Sequence, residues 1–368
     1  MRVLMISKAC VVGAYQRKLE EIAVYPDIEL TVIVPPEWRD ERGVLPLERA
    51  YTKGYTLVVE PIAFNGNFHL HFYPRLARRF AEVKPDIVHI DEEPYNLATW
   101  QALKLAHQHK AKTLFFSWQN LNRRYPFPFS AIEADVLRHA DYAICGNHDS
   151  QAVWRAKGYR GPLSVFPQFG IDPDLFSPAP KPGLRGEAFT IAFAGRFVPE
   201  KGAHLLLKAA ARLDETTRLI LIGNGPQKTE LEQLANESGL KDRVTFKSWT
   251  PSTQFPHFLN SIDVLALPST SQKNWKEQFG RVLVEAMACG VPVVGSTCGE
   301  IPNVIGEAGL IVPENDVLAL AEALHRLKQD AVLRAKLGRA GRERALAHFT
   351  HKRIAEETVE VYQKMIEP

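Results

Sequence analysis

The amino-acid sequence alternates short apolar runs with segments of helical character, and this alternation recurs along most of the chain. In the first half, the apolar runs cover residues 3–6, 30–34, 86–90 and 113–116. Each run is nearly continuous rather than alternating, so the corresponding strands are expected to be buried on both faces. Buried strands that alternate with helices predict a parallel sheet covered by helices on both faces, which is an α/β fold.

A stretch rich in proline and glycine, residues 172–183, interrupts this alternation near the middle of the chain. Its composition is typical of an interdomain linker. Further strands are predicted beyond it at 190–194, 218–222, 244–247 and 264–267. A chain of 368 residues is long for one core. The sequence therefore predicts two doubly wound domains, with ligands bound at the carboxyl ends of the strands.

Composition excludes several other classes of protein. A net charge of +3 with 45% hydrophobic residues is ordinary for a globular protein, and no basic run is interleaved with aromatics, so no nucleic-acid partner is expected. The four cysteines are scattered, which indicates reduced thiols rather than a metal site. The apolar run at the N-terminus is too short for a signal peptide, and no stretch reaches the roughly 18 residues of a membrane span. We therefore expect a cytoplasmic protein.

The most informative stretch of the second half is residues 277–294, which predict a loop, a helix and a strand in succession. Gly280 permits a close backbone approach before the helix, and Gly290 ends it. Glu277 lies in the loop and Glu285 eight positions later on the helix. Carboxylates near exposed N–H groups can hold a ligand that is both hydroxylated and negatively charged. The alternative is a surface helix with two solvated glutamates.

A second candidate motif, residues 195–202, joins the first strand of the second half to the next helix. It contains two glycines and two cations, Arg196 and Lys201. The guanidinium can bind two phosphate oxygens and the ammonium adds a point charge, so the loop suits a diphosphate. The alternative is a solvated turn with incidental charges.

These motifs resemble the E-x7-E signature and the diphosphate loop of the retaining GT-B glycosyltransferases of family 4 (glycosyl transferases group 1). The resemblance implies two Rossmann-like domains that face each other across a cleft. Residues 1–175 would bind the acceptor and residues 183–351 the nucleotide-sugar, with a final helix at 352–368 packing back on the first domain. The implied activity is transfer of a sugar from a nucleotide-sugar donor to a hydroxyl acceptor, with retention of configuration, in glycan, polysaccharide or glycolipid synthesis.

The resemblance also implies roles for single residues. Arg196 and Lys201 would hold the donor diphosphate, Glu277 the donor sugar, and Glu285 the ribose hydroxyls. Of these, the expected catalytic residues are Arg196, Lys201 and Glu277. The expected donor-binding residues are Gly195, Arg196, Lys201, Gly225, Trp249, Thr250, Glu277, Gln278, Phe279, Gly280, Arg281 and Glu285.

No metal and no cofactor are expected, because in this family fixed cations and helix dipoles take the place of a metal. Asp172 and Asp174 have the spacing of a D-x-D motif, but the proline between them and their place in the linker favour a turn. Trp249 could shield or stack on the base of the nucleotide. A tryptophan of the core or rim is the alternative.

The first half gives weaker signals for the acceptor or the region between the domains. The expected residues are Gly13, Asn65, Asp91, Glu92, Trp118, Gln119 and Asn120. Gly13 occupies a loop that carries two glycines in relatives, and Asn65 lies in an Asn-Gly turn that is equally an ordinary turn. Asp91 and Glu92 belong to an acidic loop that could bind acceptor hydroxyls or simply be solvated.

Trp118 stands where many members of the family have a histidine beside the reacting sugar. This departure casts doubt on any histidine-dependent positioning of the donor. Gln119 or Asn120 could supply the lost hydrogen bond.

The sequence leaves the donor, acceptor and oligomeric state open. On family frequency, a UDP-sugar is the first expectation and GDP-mannose the second. A nucleotide-sugar 2-epimerase of the same fold and a non-catalytic nucleotide-sugar-binding subunit remain alternatives. Arg75, Arg78 and Arg79 on one predicted helix could contact an anionic membrane, or form a solvated basic face.

Overall fold

The computed structural model describes residues 1–40, 43–180, 188–248 and 254–367. Its strands are β1 (Arg2–Ile6), β2 (Glu29–Val34), β3 (Glu37–Asp40), β4 (Gly43–Pro46), β5 (Thr56–Val59), β6 (Ile87–Ile90), β7 (Lys112–Ser117), β8 (Tyr142–Cys145), β9 (Leu163–Val165), β10 (Phe189–Ala194), β11 (Thr217–Ile222), β12 (Val244–Lys247), β13 (Val264–Leu267), β14 (Val293–Ser296) and β15 (Leu310–Val312). Its α-helices are α1 (Arg17–Ala23), α2 (Leu76–Val83), α3 (Leu97–Gln108), α4 (Phe129–His139), α5 (His148–Ala156), α6 (Ala203–Ala210), α7 (Lys228–Glu237), α8 (Phe255–Leu259), α9 (Arg281–Ala288), α10 (Ile301–Ile305), α11 (Val317–Gln329), α12 (Ala331–His348) and α13 (His351–Ile366).

The chain divides into two compact units. Unit 1 combines Met1–Gly170 with the C-terminal segment from His351, and unit 2 is Ile171–Thr350. The division falls a few residues before the predicted domain end at 175. Ile171 belongs to unit 2 because its backbone N–H donates to the carbonyl of Phe349 at 2.8 Å, and it forms a parallel bridge with Thr350.

Unit 1 is built on a seven-stranded sheet with the order β5-β2-β1-β6-β7-β8-β9. All its strand pairs are parallel. The interior strand β1 is fully buried from Val3 to Ile6, as expected for a strand covered on both faces. After β1 the chain first forms β2 on one side of this strand, and it later forms β6 on the other side. The crevice at the carboxyl ends of β1 and β6 is therefore the topological switch point of this sheet, where such folds bind ligands.

The C-terminal helix α13 completes unit 1. It packs against α1 and buries Ile354, Val359 and Tyr362 in the core beside the sheet. The Tyr362 hydroxyl lies 2.7 Å from Nδ1 of His89 on β6. Hydrophobic burial and a buried hydrogen bond thus attach this helix to the unit formed by the start of the chain.

Unit 2 has a six-stranded sheet with the order β12-β11-β10-β13-β14-β15, and its pairs are also parallel. Numbered within the unit, the order is that of a dinucleotide-binding fold, with the switch point between β10 and β13. Across the described residues, no helix combines the length and apolar character needed to cross a bilayer.

Candidate active site

The loop after β10 carries the predicted diphosphate-binding residues to the switch point of unit 2. A single turn of 3-10 helix, Pro199–Lys201, follows the exposed Arg196 and leads into α6. Gly202 lets this turn lie against the end of β13, because a Cβ there would be 1.9 Å from the carbonyl oxygen of Pro268. Any other residue would push the turn away from the crevice.

An ion pair spans this crevice. Lys201 Nζ lies 2.6 Å from Glu277 Oε2, and the two side chains are 22% and 8% exposed. Ser269 Oγ donates to the same carboxylate oxygen at 3.1 Å, and the ring centre of Trp275 is 4.9 Å from Lys201 Nζ. The structure thus brings together two of the predicted catalytic residues from loops 76 positions apart in the chain.

The backbone of Glu277 is fixed by a segment that sequence reasoning missed. Gly299 has φ +55°, and a Cβ on it would lie 2.1 Å from the carbonyl oxygen of Glu277. The Glu300 N–H donates to that same oxygen at 3.1 Å, and the Glu277 N–H points at Cys298 Sγ at 3.5 Å. The loop after β14 therefore determines the position of Glu277 and, through its backbone, of the Glu277 carboxylate. The only signal in the sequence was a glycine shortly after a buried strand.

Glu285 lies one helical turn into α9. Gly280, with φ +78°, precedes the helix in the left-handed region that glycine favours. Arg281 Nε donates to Glu285 Oε1 at 2.9 Å, and the Glu285 side chain is 13% exposed. Burial raises the pKa of Glu285, and the charge of Arg281 opposes that rise. The arrangement leaves a largely buried carboxylate near the start of a helix.

The remaining residues that were predicted to bind the nucleotide-sugar donor differ in burial and in contacts. Gln278 is exposed, and the ring of Phe279 packs edge-on against Phe349 with 5.6 Å between ring centres. Gly195 is half-buried after β10, and Gly225 lies so close to Phe197 that a Cβ would be 2.4 Å from its carbonyl oxygen. Trp249 and Thr250 lie outside the described residues.

In unit 1, the acidic loop after β6 is buried. Asp91 and Glu92 are each 2% exposed. Asp91 accepts a hydrogen bond from Ser7 Oγ at 2.5 Å, and Glu92 forms an ion pair with Lys8. The alternative of a solvated acidic loop is therefore wrong for these two residues. Their position at the end of β6, facing the end of β1, is the switch point of the sheet.

Trp118, which the resemblance places where relatives have a histidine, packs inside unit 1. Its indole Nε1 donates to Gln168 Oε1 at 2.9 Å, and its ring covers Gly146, where a Cβ would lie 2.3 Å from Trp118 Cε3. Gln119 Oε1 accepts from Tyr125 at 3.2 Å, while Asn120 is buried. These contacts give the loop after β7 a defined shape.

Gly13 and Asn65 stabilise local structure. The Gly13 N–H donates to Glu48 Oε2 at 2.6 Å, and a Cβ on Gly13 would lie 2.8 Å from the Ala50 side chain. Asn65 Oδ1 accepts from the Arg39 N–H at 3.0 Å, which attaches the turn around Asn65 to β3. These contacts match the ordinary-turn interpretation of Asn65.

Glu93, which sequence reasoning did not single out, supports the loop that carries Trp118. Its carboxylate accepts from Ser117 Oγ at 2.6 Å and from the Trp118 N–H at 2.7 Å. Burial raises the pKa of Glu93 to about 7, and those two hydrogen bonds oppose the rise.

This pKa predicts a pH-dependent stability. Between the ordinary value of 4.5 and about 7, the unfolded state has released the Glu93 proton while the folded state still holds it. The contribution of Glu93 to stability therefore falls as pH rises through that window. In Glu93→Gln this fall is absent, so the Tm of the variant minus that of wild type should increase from pH 4.5 to 7 and then level. The exposed Glu29→Gln gives the control, and a flat difference for Glu93→Gln would contradict the assignment.

Within the described residues, no group of three or more His, Cys, Asp or Glu side chains is arranged to hold a metal ion. The groups at the unit 2 crevice are instead a paired cation and carboxylate, an exposed guanidinium and the start of α9. Such a set can bind phosphate oxygens and sugar hydroxyls.

Known proteins show which family combines these features. A family model described as glycosyl transferases group 1 matches residues 179–344. The D-inositol 3-phosphate glycosyltransferase of Stackebrandtia nassauensis is 31% identical over 313 residues, covering 77% of this chain and 69% of that protein. The chain belongs to the glycosyl transferases group 1 family. The resemblance seen in its motifs is thereby confirmed at the level of this group 1 family.

Other glycosyltransferases agree with this assignment. A GDP-mannose-dependent alpha-(1-6)-phosphatidylinositol monomannoside mannosyltransferase of Mycolicibacterium smegmatis is 32% identical over 194 residues, which is 49% of this chain and 51% of that protein. Alr3699/HepE of Anabaena, solved in complex with UDP, superposes with a TM-score of 0.76 at 20% identity, covering 99% of this chain and 100% of that one. With the two parallel sheets, this confirms the predicted GT-B type of α/β fold.

Proposed function

We propose that this glycosyltransferase moves a hexose from a nucleotide-sugar to a hydroxyl acceptor with retention of configuration, in glycan, polysaccharide or glycolipid synthesis. The observation that carries the proposal is the Lys201–Glu277 pair at the switch point of unit 2, 2.6 Å apart and partly accessible. An ammonium paired with a carboxylate at such a crevice offers a phosphate partner and a hydroxyl partner side by side.

The roles follow from how charge moves in the reaction. The bond between the anomeric carbon and the diphosphate oxygen breaks, and negative charge builds on the leaving diphosphate. Lys201 and Arg196 are the cations that stabilise this charge, more strongly in the transition state than in the ground state. The new bond forms from the acceptor oxygen to the anomeric carbon, and the acceptor proton passes to the leaving diphosphate. In this proposal the two cations perform the task for which other transferases use a metal.

The carboxylates orient the donor. Glu277, fixed at its backbone by Gly299 and at its side chain by Lys201 and Ser269, accepts hydrogen bonds from hydroxyls of the donor sugar. Glu285 accepts from the ribose hydroxyls. Holding the sugar and the nucleotide at two places aligns the bond that breaks and lowers the entropic part of the barrier.

We propose a UDP-sugar as the donor, with GDP-mannose second. A fold neighbour was solved with UDP, and a relative is named for its dependence on GDP-mannose. Each of these facts describes the other protein. For this chain, they support a donor in which a purine or pyrimidine nucleoside diphosphate carries a hexose. A panel of nucleotide-sugars, with release of the free nucleotide diphosphate as the readout, would identify the donor.

Glu285→Ala tests the donor site directly. Loss of a charged hydrogen-bond acceptor costs about 1.5–3 kcal/mol, so affinity for UDP, measured by calorimetry, should fall about 10–100-fold. The exposed Glu307→Ala, in the same unit, is the matched control and should bind as wild type does. Unchanged affinity in Glu285→Ala would remove this residue from the donor site.

The same donor panel separates glycosyl transfer from the two alternatives of the same fold. Isotope exchange at C2 of the sugar without any acceptor would identify an epimerase. Tight UDP binding with neither transfer nor hydrolysis across donors and acceptors would identify a non-catalytic subunit. Release of UDP that depends on an acceptor is the expected result.

A further inference from the structure

Trp275 lies beside the ammonium of Lys201 and has none of the roles assigned above. The centre of its indole ring is 4.9 Å from Lys201 Nζ, within the roughly 6 Å at which an aromatic face attracts a cation. Trp275 is half-buried and packs against the core of unit 2. The same ammonium lies 2.6 Å from Glu277 Oε2. Lys201 therefore has two neighbours of different kinds, a carboxylate and the face of an indole.

A tight turn fixes the backbone of Trp275. Gln272 and Trp275 form an antiparallel bridge. The Gln272 N–H donates to the carbonyl oxygen of Trp275 at 2.8 Å, and the Trp275 N–H donates to that of Gln272 at 3.2 Å. Lys273 and Asn274 lie between them, and two residues is a common length for a hairpin connection. The indole therefore extends from a backbone whose position is set by hydrogen bonds.

Two further contacts attach this turn to the loop that carries Lys201 and to the rest of unit 2. The Thr270 N–H donates to the carbonyl oxygen of Glu200, the residue before Lys201, at 2.8 Å. The carboxylate of Glu314 accepts from the Ser271 N–H at 2.5 Å and from the Ser271 hydroxyl at 2.8 Å. These bonds hold the turn and the lysine loop in fixed positions relative to each other, so the indole remains beside the lysine side chain.

A lysine needs such a neighbour if it is to act as a fixed cation, because its ammonium ends a flexible four-carbon stem. Glu277 restrains the ammonium of Lys201 but also neutralises its charge, and in the proposed reaction this carboxylate binds hydroxyls of the donor sugar. An indole face attracts the ammonium through its quadrupole and leaves the positive charge in place. Trp275 can therefore hold Lys201 in position while a diphosphate binds to it.

We propose that Trp275 is a positioning residue for Lys201: its indole face holds the ammonium where negative charge develops on the leaving diphosphate. Trp275 acts through Lys201 and takes no part in bond making or bond breaking. A cation that is already in place stabilises the transition state without first losing rotamer freedom. The proposal rests on the proposed function, because it depends on the role given to Lys201 there.

Site-specific replacement of Trp275 by 5-fluoro-, 5,7-difluoro- and 5,6,7-trifluorotryptophan tests the contact in the full chain. Each fluorine withdraws electron density from the ring face and weakens its attraction for a cation, while the shape of the side chain changes little. The measurement is kcat for UDP release from the donor that the nucleotide-sugar panel identifies. The logarithm of kcat should fall with each added fluorine, toward the total loss of about 2–30-fold that removal of a whole cation–π contact causes.

A double-mutant cycle separates action through Lys201 from direct contact with the donor. Trp275→Leu keeps an apolar side chain but removes the aromatic face, and should lower kcat by about 2–30-fold. Trp275→Phe keeps a smaller face and should retain more of the kcat. In the Lys201→Ala background, Trp275→Leu should cost less than about twofold, because no ammonium remains to be positioned. An equal loss in both backgrounds would show that Trp275 acts independently of Lys201, and would overturn the proposal.

Trp100 supplies the matched control. It is also half-buried, in unit 1, and its ring centre lies 5.6 Å from Lys104 Nζ. The same fluorinated residues at Trp100 should leave kcat unchanged. A kcat that does not respond to fluorination at Trp275 overturns the proposal even if Trp275→Leu fails to fold, because the fluorinated rings preserve the packing.

Lys201→Ala distinguishes a failure of this proposal from a failure of the proposed function. If Lys201→Ala is strongly impaired and the fluorinated series at Trp275 is flat, only the positioning role of Trp275 is overturned. If Lys201→Ala turns over as wild type does, the role of Lys201 in the proposed function is refuted, and the positioning role of Trp275 is refuted with it.

Discussion

Replacing Lys201 with alanine should lower kcat by about 10²–10³-fold, the usual loss when one preorganised electrostatic donor is removed from an active site. The ammonium lies 2.6 Å from Glu277 Oε2 and the Lys201 side chain is 22% exposed, so the group is positioned beside the carboxylate and a diphosphate can reach the side chain. In the variant, charge on the leaving group loses a fixed cation, and the Glu277 carboxylate keeps the Ser269 hydroxyl but loses its ammonium.

The measurement is the steady-state rate of UDP release at saturating concentrations of the donor that the panel identifies. The kcat should fall more than the affinity for UDP, because the cation acts most strongly where charge develops in the transition state. Lys208→Ala, an exposed lysine on the following helix, is the matched control and should turn over as wild type does. A Lys201→Ala enzyme with wild-type kcat would refute the assigned role.

Gly299→Ala should lose both stability and activity. At φ +55° an alanine costs about 1–2 kcal/mol for left-handed backbone. The new Cβ would also lie 2.1 Å from the carbonyl oxygen of Glu277, and relief of such overpacking costs about 1–3 kcal/mol more. The Tm of the transition assigned to unit 2 should fall by roughly 5–20 °C. The backbone shift needed to accommodate the Cβ displaces Glu277, so transfer should fall even where the variant remains folded.

The Gly239→Ala variant separates the cost of the left-handed backbone from the cost of the steric collision. Gly239 has φ +69° in the same unit, with no atom within 4 Å of an added Cβ, so it bears the left-handed strain without the collision. It should lose stability by about 1–2 kcal/mol and keep its activity at 25 °C. Equal activities of the two variants would show that Gly299 does not position Glu277.

The strands predicted after the linker lie within one residue of β10, β11, β12 and β13, and β12 and β13 have the predicted bounds. The hairpin formed by β3 and β4 was not predicted. Its residues lack the continuous apolar run that is typical of the strands in the large sheet. The pairing is local, because both strands lie in the connection between β2 and β5 and pair with each other.

What the sequence by itself determined is the α/β class, the doubling of the alternation, the loops that carry Lys201 and Glu277, and the helix that carries Glu285. These follow from periodicity and from motif spacing, both of which are local properties of the chain. Only the tertiary structure decided which side chains those loops place in contact. Lys201 meets Glu277, and Lys8 joins Glu92, because separate strand ends converge at the switch point of each sheet. Gly299 supports Glu277 because β14 ends beside β13. No local pattern in a sequence encodes contacts between residues that distant, so they appear only once the chain has folded.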